Sequence, residues 1–538
     1  MIQVRKVALV FLLFFSFCFL NAQEKFDLKI ESCVSIANEG IVPTWLHANE
    51  WGIYSSEIES YGMLYLKGDY RLMDKKSFSL NVGSGIVVNT DLKESILHEV
   101  YLNGHAWLFD YTIGKEANSW VSYNDRLTSG SFLMSGNARP IPKITLGFED
   151  YKQLSFLPDW FEVRGGISQG ILNDERGEKS NSANNLLVHE KWAYGRFGIK
   201  NIKPYLGIVH SALFGGTRPD GTKIQVDFWP TFFARGSSKL GGGEETNAAG
   251  AHMGMWDFGF YLEKEKFDLQ FYFQKPFADG SGLNFWFGKN KDHIIGLLIH
   301  PKEINWLKGV SLELIKTAVQ SGYGIPDQLY PVDYNDHKAG SIIWRTDVED
   351  NLDDFMFQVF GEEKTGWAWP DALRVIENKT NEGNKFGGRD DYMNNGSYYN
   401  GWTYHGSSMG TPLYHTTEMV QKYNSGTLNN HSRFINNRVN GFHLGIEGQV
   451  TTDINYRLKS TYTMNYGSYA EEFLKRYSWT RIDNYFYDGG KSQVYTMLEL
   501  YWRIPNLNKI QLNGALAYDF GQLYHSFGGR LGINYTPF

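Results

Sequence analysis

Apolar and polar side chains alternate along almost the whole chain. The even-numbered positions from 510 to 520 carry Ile, Leu, Gly, Leu, Tyr and Phe, whereas polar or small residues lie between them. Similar two-residue repeats occur in segments 494–504, 78–88, 256–262 and 442–450. A period of two with one apolar face is typical of a β-strand whose faces meet different environments. The pattern therefore predicts an all-β protein.

Two architectures can hold such strands. A soluble β-sandwich or propeller places the polar face in water, whereas a transmembrane β-barrel places the apolar face in lipid and the polar face in a wet lumen. Charged residues in the middle of predicted strands favour the barrel, because a lumen tolerates them. They are Glu447, Arg457, Glu499 and Arg503.

Aromatic residues near strand ends also favour a barrel, because outer-membrane barrels carry aromatic girdles at both interfaces. These residues are Trp107, Trp192, Trp256, Trp306, Tyr501 and Trp502. The last predicted strand, 532–538, ends in the aromatic Phe538, as the terminal strands of such barrels do. Turn-bounded segments number roughly 18 to 22, and bacterial barrels use even numbers. We therefore predict a large antiparallel transmembrane β-barrel of about 18 strands.

Composition narrows the class of protein further. The 538 residues are 42% hydrophobic and 16% aromatic, with a mean hydropathy of −0.38. The aromatic content excludes a disordered chain, and the low mean hydropathy excludes a polytopic helical membrane protein. The balance of 52 Lys and Arg against 59 Asp and Glu excludes a strongly basic nucleic-acid binder. The length alone suggests several domains, but the continuous strand pattern predicts a single barrel domain from residue 23 to 538.

The first 22 residues have the pattern of a secretory signal peptide. Arg5 and Lys6 precede the apolar run 7–20, and a permissible cleavage site follows Ala22. A short membrane anchor or a lipoprotein signal at Cys18 is the alternative. The apolar run is too short to span a bilayer, and Phe17 stands where lipidation needs a small residue. After cleavage only Cys33 remains, so no intramolecular disulfide is expected.

Two long segments interrupt the strand pattern, namely 215–254 and 365–440. Structureless segments of this length are uncommon in a compact domain unless they are functional or disordered. Both are rich in aromatic residues, which argues against disorder. We expect folded loops that cap or enter the barrel.

Three segments resemble sequences of the Wzi capsule-assembly family, in forms most like those of Bacteroidota. They are 43–52 (PTWLHANEWG), 124–144 (NDRLTSGSFLMSGNARPIPKI) and 399–413 (YNGWTYHGSSMGTPL). The second is the family's signature segment, and its characteristic residues here are Asn124, Asp125, Arg126, Gly136, Asn137, Arg139, Pro140 and Pro142.

The resemblance implies an outer-membrane β-barrel lectin that binds capsular polysaccharide or exopolysaccharide and helps to organise it at the cell surface. Enteric members carry an N-terminal helical bundle that plugs the barrel. Here strand-like sequence begins directly after Gln23, so we expect loops to close the lumen instead.

The long loop 365–440 supplies the candidate carbohydrate-binding residues. Sugar rings stack on aromatic planes, and their hydroxyls bond to planar polar groups. The candidates are Trp367, Trp369, Arg389, Asp390, Asp391, Tyr398, Tyr399, Trp402 and Tyr404. The alternative is that these aromatic residues pack the core of the loop itself.

Catalytic and metal-binding patterns are weak. Ser408 has the spacing of a nucleophile elbow within Gly406–Gly410, but the required strand–turn–helix context is missing. His98 and Glu99 lack the second histidine of a zinc protease, and the acidic pairs at 353–354 and 390–391 lack regular calcium-ligand spacing. No catalytic residue, metal or cofactor is therefore expected.

The sequence thus predicts a non-enzymatic protein of the outer membrane of a Gram-negative bacterium. Its expected partners are capsular polysaccharide or exopolysaccharide and outer-membrane lipid, with polysaccharide-export machinery as a further candidate, and it is expected to be a monomer that binds no nucleic acid. The net charge of −7 argues mildly against a strongly anionic ligand, unless basic groups cluster in the lumen. A porin or oligosaccharide channel is the main alternative, and an outer-membrane hydrolase is a third.

Overall fold

Eighteen long strands form one closed antiparallel sheet. In chain order they are β1 (Phe26–Ala37), β2 (Ser60–Lys75), β3 (Phe78–Asn89), β4 (Ile96–Ala106), β5 (Phe109–Lys115), β6 (Lys143–Lys152), β7 (Phe161–Leu172), β8 (Leu186–Phe197), β9 (Ile202–Phe214), β10 (Ala251–Glu263), β11 (Phe267–Phe277), β12 (His293–Pro301), β13 (Gly309–Lys316), β14 (Val439–Gln449), β15 (Ile454–Asn465), β16 (Lys491–Arg503), β17 (Ile510–Gly521) and β18 (Ser526–Tyr535). Each strand pairs with its sequence neighbours, and β1 closes the barrel on β18. The prediction of an 18-stranded β-barrel is confirmed.

The computed structural model describes residues 26–537, apart from 39, 122, 199, 241–247, 279–289, 324–328, 333–340, 382–387, 427, 429–431 and 475–478. The predicted signal peptide, with its cleavage site at Ala22, and the terminal Phe538 lie outside the described residues.

The two faces of the barrel wall are inverted relative to a soluble protein. Apolar side chains point outward and are exposed, as in Ile36 (59%), Leu516 (60%) and Leu531 (74%). Charged side chains on the alternate positions point into the lumen and are buried, for example Glu499 and Arg530. This is the arrangement expected of strands that face lipid on one side.

The two ends of the barrel differ in their connections. Short turns join β2 to β3, β4 to β5 and every second pair thereafter, and we call this the short-turn end. The longer loops, including the inserts between β5 and β6 and between β13 and β14, lie at the opposite loop end. Outer-membrane barrels have the same asymmetry, with short periplasmic turns and long extracellular loops.

Of the six aromatic residues predicted for the girdles, Trp256 is half-buried within β10, and the other five divide into two groups. Trp107, Trp306 and Trp502 are exposed near the short-turn end, as interfacial side chains would be. Trp192 and Tyr501 instead point into the lumen: the Trp192 ring lies 5.7 Å from that of Trp120, and the Tyr501 hydroxyl donates to Glu499. The prediction was wrong for these two because an aromatic residue in a strand can occupy either face, and Trp192 also lies in the middle of β8 rather than near an end.

Short helices and short strand pairs occur only in the connections of the described chain. The α-helices are α1 (Thr44–His47), α2 (Phe228–Phe232), α3 (Arg345–Val348), α4 (Leu352–Phe360), α5 (Trp369–Asn381), α6 (Thr417–Tyr423) and α7 (Tyr469–Glu472), with 3₁₀ turns at Leu92–Glu94 and Glu349–Asn351. Leu329–Val332 pairs with Ser341–Trp344, Thr403–Tyr404 with Ser407–Ser408, and His415–Thr416 with Phe434–Asn436. Among the described residues, no helix has the length and apolarity needed to cross a membrane.

Candidate functional site

Three loop segments from distant parts of the chain meet inside the barrel. They are residues 43–52, 124–142 and 399–413, and together we call them the lumenal plug. Each belongs to one of the segments singled out in the sequence. Part of the long loop 365–440 therefore enters the lumen as expected, whereas helix α2 of the other predicted loop, 215–254, packs against His189 and Lys191 on the outer face of β8.

The first plug segment, between β1 and β2, is fixed to the barrel wall by polar contacts. The backbone N–H and hydroxyl of Thr44 donate to Asp519 of β17 at 2.8 and 2.9 Å. Arg530 of β18 donates to the Leu46 carbonyl at 2.8 Å. The ring of Trp45 lies 4.2 Å from the ammonium group of Lys459. Polar side chains on the inner face of the wall therefore bind this loop.

The second plug segment, 124–142, is held against the neighbouring strands β13 and β14. The Leu127 carbonyl accepts a hydrogen bond from His443 at 2.7 Å, and the Ser129 N–H donates to Glu313 at 2.6 Å. A β-carbon on Gly445 would lie 2.0 Å from the Leu127 carbonyl oxygen. Only glycine therefore lets the plug backbone approach the wall this closely.

Hydrogen bonds between the segments join the plug into one unit. The Trp51 N–H donates to the Gly136 carbonyl at 2.5 Å, which links the first segment to the second. The Ser135 N–H donates to the Met409 carbonyl at 2.8 Å, and the Asn137 amide donates to the Ser408 carbonyl at 3.0 Å. The signature segment thus lies between the other two.

The remaining signature residues contact the wall or brace the plug backbone. The Asp125 carbonyl accepts from Lys459, and Arg126 pairs with Glu447 at 3.4 Å. The Asn124 side chain accepts from the Leu127 N–H, and the Pro142 carbonyl accepts from the Ile171 N–H. Arg139 pairs with Glu94 at 3.8 Å, and Pro140 is buried.

A buried charge network joins the plug to strands β15, β16 and β18. Glu499 accepts hydrogen bonds from Arg457 and from Arg530, the latter at 3.0 Å. Arg457 also pairs with Glu50 of the first plug segment at 2.9 Å. The guanidinium of Arg530 stacks on Tyr54 at 3.6 Å from the ring centroid. Each charge is balanced within the network, which is what permits its burial.

The predicted carbohydrate-binding residues near the plug are largely buried. Tyr398, Trp402 and Tyr404 belong to the large lumenal core, and the Tyr404 hydroxyl donates to Asn173 at 2.6 Å. Tyr399 is also buried, and the Lys179 ammonium lies 3.6 Å from its ring centroid. These rings pack within a protein core, which was the alternative interpretation of the sequence. Their contact with sugar stays a prediction.

Trp367 and Trp369 lie elsewhere, in a helical cap formed by α3, α4 and α5. Its core consists of Ile343, Val348, Leu352, Phe355, Met356, Trp369, Ala372, Ile376 and Trp479. Trp367 is half-buried at the edge of this core, and the Lys364 ammonium lies 4.5 Å from its ring. The structure therefore separates the candidates into two groups.

The charged candidates brace the loop between the cap and the plug. Arg389 stacks on Phe473, 3.9 Å from the ring centroid; burial lowers its pKa to about 10, although Tyr469 and Glu472 act in the opposite direction. Asp390 accepts from Ser321 at 2.6 Å. Asp391 accepts from Asn394 and Asn437, each at 2.8 Å.

A polar vestibule on the short-turn side of the lumen was not predicted from the sequence. Arg164 and Arg196 stack there on Tyr151 and Tyr194, with Arg196 4.0 Å from the Tyr151 centroid. A cavity of about 380 Å³ adjoins it, lined by Tyr261, Leu262, Glu263, Asp268, Leu269, Gln270, His300 and Lys302. The two arginines could have been found in the sequence by assigning every second residue of the neighbouring strands to the lumen.

The residues considered for catalysis occupy structural positions. Ser408 is buried in the two-residue strand Ser407–Ser408, where its hydroxyl accepts from the Gly410 N–H at 3.2 Å. Glu99 accepts from Tyr65 at 2.6 Å and from Lys67 at 3.1 Å in the barrel wall. No cluster of three or more potential metal ligands occurs within the described ranges.

Comparison with known proteins gives a likeness of fold. No family model and no curated protein matches the chain. The structure of Wzi from Escherichia coli, described as an outer-membrane protein involved in group 1 capsule assembly and a carbohydrate-binding β-barrel, is 12% identical with a TM-score of 0.50; the match covers 96% of this chain and 85% of that one. At this identity the likeness shows the fold alone, that of an outer-membrane β-barrel.

Two further structures, both from Pseudomonas aeruginosa, are more distant in fold. OprD and OpdK with vanillate are each 8% identical, with TM-scores of 0.41 and 0.43. The matches cover 95% of this chain and 94% and 98% of theirs. At these values they add nothing about function.

Proposed function

We propose that this protein is a non-catalytic outer-membrane β-barrel that binds capsular polysaccharide or exopolysaccharide and assists its assembly or attachment at the cell surface. One observation carries the proposal: the three segments that resemble the Wzi family form a single hydrogen-bonded plug inside the barrel. Carbohydrate binding by Wzi, the protein of similar fold, supports the same function.

The plug favours a binding protein over an open channel. Its backbone touches the wall at Gly445 and its side chains join charge networks of the lumen. Single-channel recording in planar bilayers tests this point. We expect little or no steady conductance, whereas a large steady current would favour the alternative, a porin or oligosaccharide channel.

We propose that the sugar contacts lie at the loop end, at a candidate aromatic ring that is not enclosed in a core. Trp367 fits best, because it is at the margin of its cluster and its ring lies beside a lysine ammonium group, whereas Tyr399 is only 8% exposed. A ring beside a cation offers both a stacking face and a donor for sugar hydroxyls or carboxylates.

This contact is tested by alanine substitution of Trp367 in the purified barrel. The change should weaken binding of the host's surface polysaccharide by about two- to tenfold, the range for a lost aromatic contact. Phe357→Ala is the matched control, because Phe357 is an exposed ring (52%) of the same helical cap. Equal affinities for the parent and both variants would remove Trp367 from the proposed site.

The cellular role is tested by deleting the gene and scoring surface-attached polysaccharide. We expect less retained polysaccharide in the deletion strain and recovery with the intact gene. Unchanged retention and export would contradict the proposed function. Fractionation of the complemented strain tests the proposed outer-membrane location, since the mature chain should be found with the outer membrane.

A further inference from the structure

The loop between β9 and β10 folds back over the outside of the barrel. Trp192 of β8 and Tyr205 of β9 face the lumen, where they contact Trp120 and Tyr123. Because strand residues alternate between faces, the odd-numbered residues of β8 and the even-numbered residues of β9 point outward. In β10 the odd-numbered Asp257 contacts Tyr123 inside the barrel, so the even-numbered residues of this strand also point outward.

Four ionisable side chains thus lie on the outward face near the loop end. They are His189, Lys191, His210 and His252. The rings of His210 and His252 stack with centroids 5.2 Å apart. Such groups are costly on a wall that faces lipid.

Helix α2 of this loop covers the ionisable patch. The ring of Phe232 lies 4.8 Å from that of His189, and the Lys191 ammonium is 4.2 Å from the Phe232 centroid. His189 and His210 are consequently only 3% and 7% exposed, although they are on the outer face. The inner side of the helix therefore shields polar groups of the wall.

The outer side of the same helix is aromatic and exposed. Phe228, Trp229 and Phe233 are 43%, 64% and 56% exposed, and Val226 beside them is 45% exposed. These side chains continue the apolar outer surface of the neighbouring strands, where Leu206 is 48% exposed. A contiguous apolar surface of this kind marks a contact with a membrane or a partner, and its continuity with the strand surface favours the membrane.

Exposed cations surround the aromatic surface. Lys223, Arg235 and Lys239 are exposed, and the Arg235 guanidinium lies 5.7 Å from the Phe233 ring. Residues 216–240 contain four Lys or Arg, at 218, 223, 235 and 239, against two Asp, at 220 and 227. We propose that residues 226–239 form a lipid-binding site in which the aromatic residues enter the outer leaflet and the cations bind the phosphate of an anionic lipid.

Depth-dependent quenching tests the insertion. A Cys33→Ser background removes the buried cysteine of the barrel, and Trp229→Cys then carries an environment-sensitive fluorophore in phosphatidylcholine vesicles. Lipids spin-labelled high on the acyl chain should quench this probe about as strongly as one at Trp107→Cys, the girdle position. A probe at Asp220→Cys, on the same loop, is the matched control and should be quenched several-fold less. Quenching at 229 no stronger than at 220 would overturn the proposal.

The charge preference is tested with the same probe in vesicles of phosphatidylcholine and phosphatidylglycerol. Spin-labelled phosphatidylglycerol should quench at 229 more than spin-labelled phosphatidylcholine at equal mole fraction. Arg235→Gln should lower that preference by about fivefold, the effect of one cation near an anionic membrane surface. Lys93→Gln, in a loop after β3, should leave it unchanged. Equal quenching by both lipids would overturn the assignment of an anionic lipid.

These outcomes are independent of the polysaccharide proposal, because they measure lipid contact of the purified barrel. Resistance of the folded barrel to unheated SDS identifies variants that failed to fold. A further variant, Phe233→Cys, repeats the insertion measurement if Trp229→Cys is among them, with the same expected result.

Discussion

At the scale of single residues, Glu499 shows how the lumen tolerates charge. The carboxylate is enclosed by Arg457 and Arg530 and is only 1% exposed. A buried ion pair of this kind gains little net stability over an apolar core, but the loss of one partner leaves the others uncompensated. Arg457 also pairs with Glu50 of the plug, and Arg530 donates to the Leu46 carbonyl of the plug. Glu499 therefore positions the two arginines that join the wall to the plug.

We expect Glu499→Gln to lower the free energy of unfolding by about 3–5 kcal/mol, because two buried guanidinium groups lose their common anion. Urea unfolding from detergent micelles measures the change. Glu447→Gln is the control: Glu447 pairs with Arg126, which is 54% exposed, and its loss should cost less than about 1 kcal/mol. Equal losses in both variants would contradict the role of burial.

A second residue, His415, should make the stability of the protein depend on pH. It belongs to the short strand that pairs with Phe434–Asn436 and is not part of the barrel sheet. Burial lowers its pKa from 6.5 to about 4. The unfolded chain therefore binds the proton more tightly, and stability from this residue is lost as the pH falls from 6.5 towards 4. We expect His415→Gln to flatten the decline of unfolding free energy over this interval, by up to about 1.4 kcal/mol per pH unit. Identical slopes for variant and parent would refute this contribution.

At the scale of elements, the plug is built from loops that have little regular structure of their own. Its fixed conformation comes from hydrogen bonds between segments and to the wall, such as those from Ser135 to Met409 and from Ser129 to Glu313. At residue 445 the plug backbone lies directly against the wall, and glycine leaves room there for the Leu127 carbonyl.

We expect Gly445→Val to displace the plug, because the new side chain would occupy the position of the Leu127 carbonyl. The measurement is single-channel conductance, which should rise above that of the parent protein. Gly514→Val is the control, since its nearest contact on the wall is a flexible side chain, Leu531, at 3.2 Å. A silent Gly445→Val barrel that remains folded would show that this contact does not hold the plug.

At the scale of the whole molecule, the inverted wall requires an apolar solvent outside. Leu531 in the middle of β18 is 74% exposed, while Arg530 beside it is 3% exposed and faces the lumen. Adjacent residues of one strand therefore meet lipid and a packed polar interior. Water around the barrel would leave a broad apolar belt unsolvated.

We expect Leu531→Arg to destabilise the barrel in phospholipid vesicles by about 2–4 kcal/mol, the cost of arginine on the lipid face near the bilayer midplane. Reversible denaturant unfolding from vesicles provides the measurement. The same replacement at Trp107, in the turn between β4 and β5, should cost about 0–1 kcal/mol because it lies near an interface. The reverse order would contradict the proposed position of the membrane.

The alternation of side chains was sufficient to predict the strands, whereas the barrel followed from charged and aromatic residues in them and the number of about 18 from turn-bounded segments and the even strand numbers of bacterial barrels. It could not predict that Trp192 faces inward, because local periodicity gives two faces without saying which one meets lipid. The packing of Trp402 and Tyr404 into the core also depends on segments far away, such as Asn173. Composition of the loop alone cannot distinguish a packed ring from an accessible one.

The sequence by itself determined the barrel, because a period of two is a local property that each strand carries independently. Only the tertiary structure brought residues 43–52, 124–142 and 399–413 into one plug, since contacts between segments far apart in the chain leave no periodic signal. The same is true of α2, whose Phe232 ring covers His189 on the outer face of β8. Which loops enter the lumen and which fold over the outer wall is decided by long-range complementarity of shape and charge.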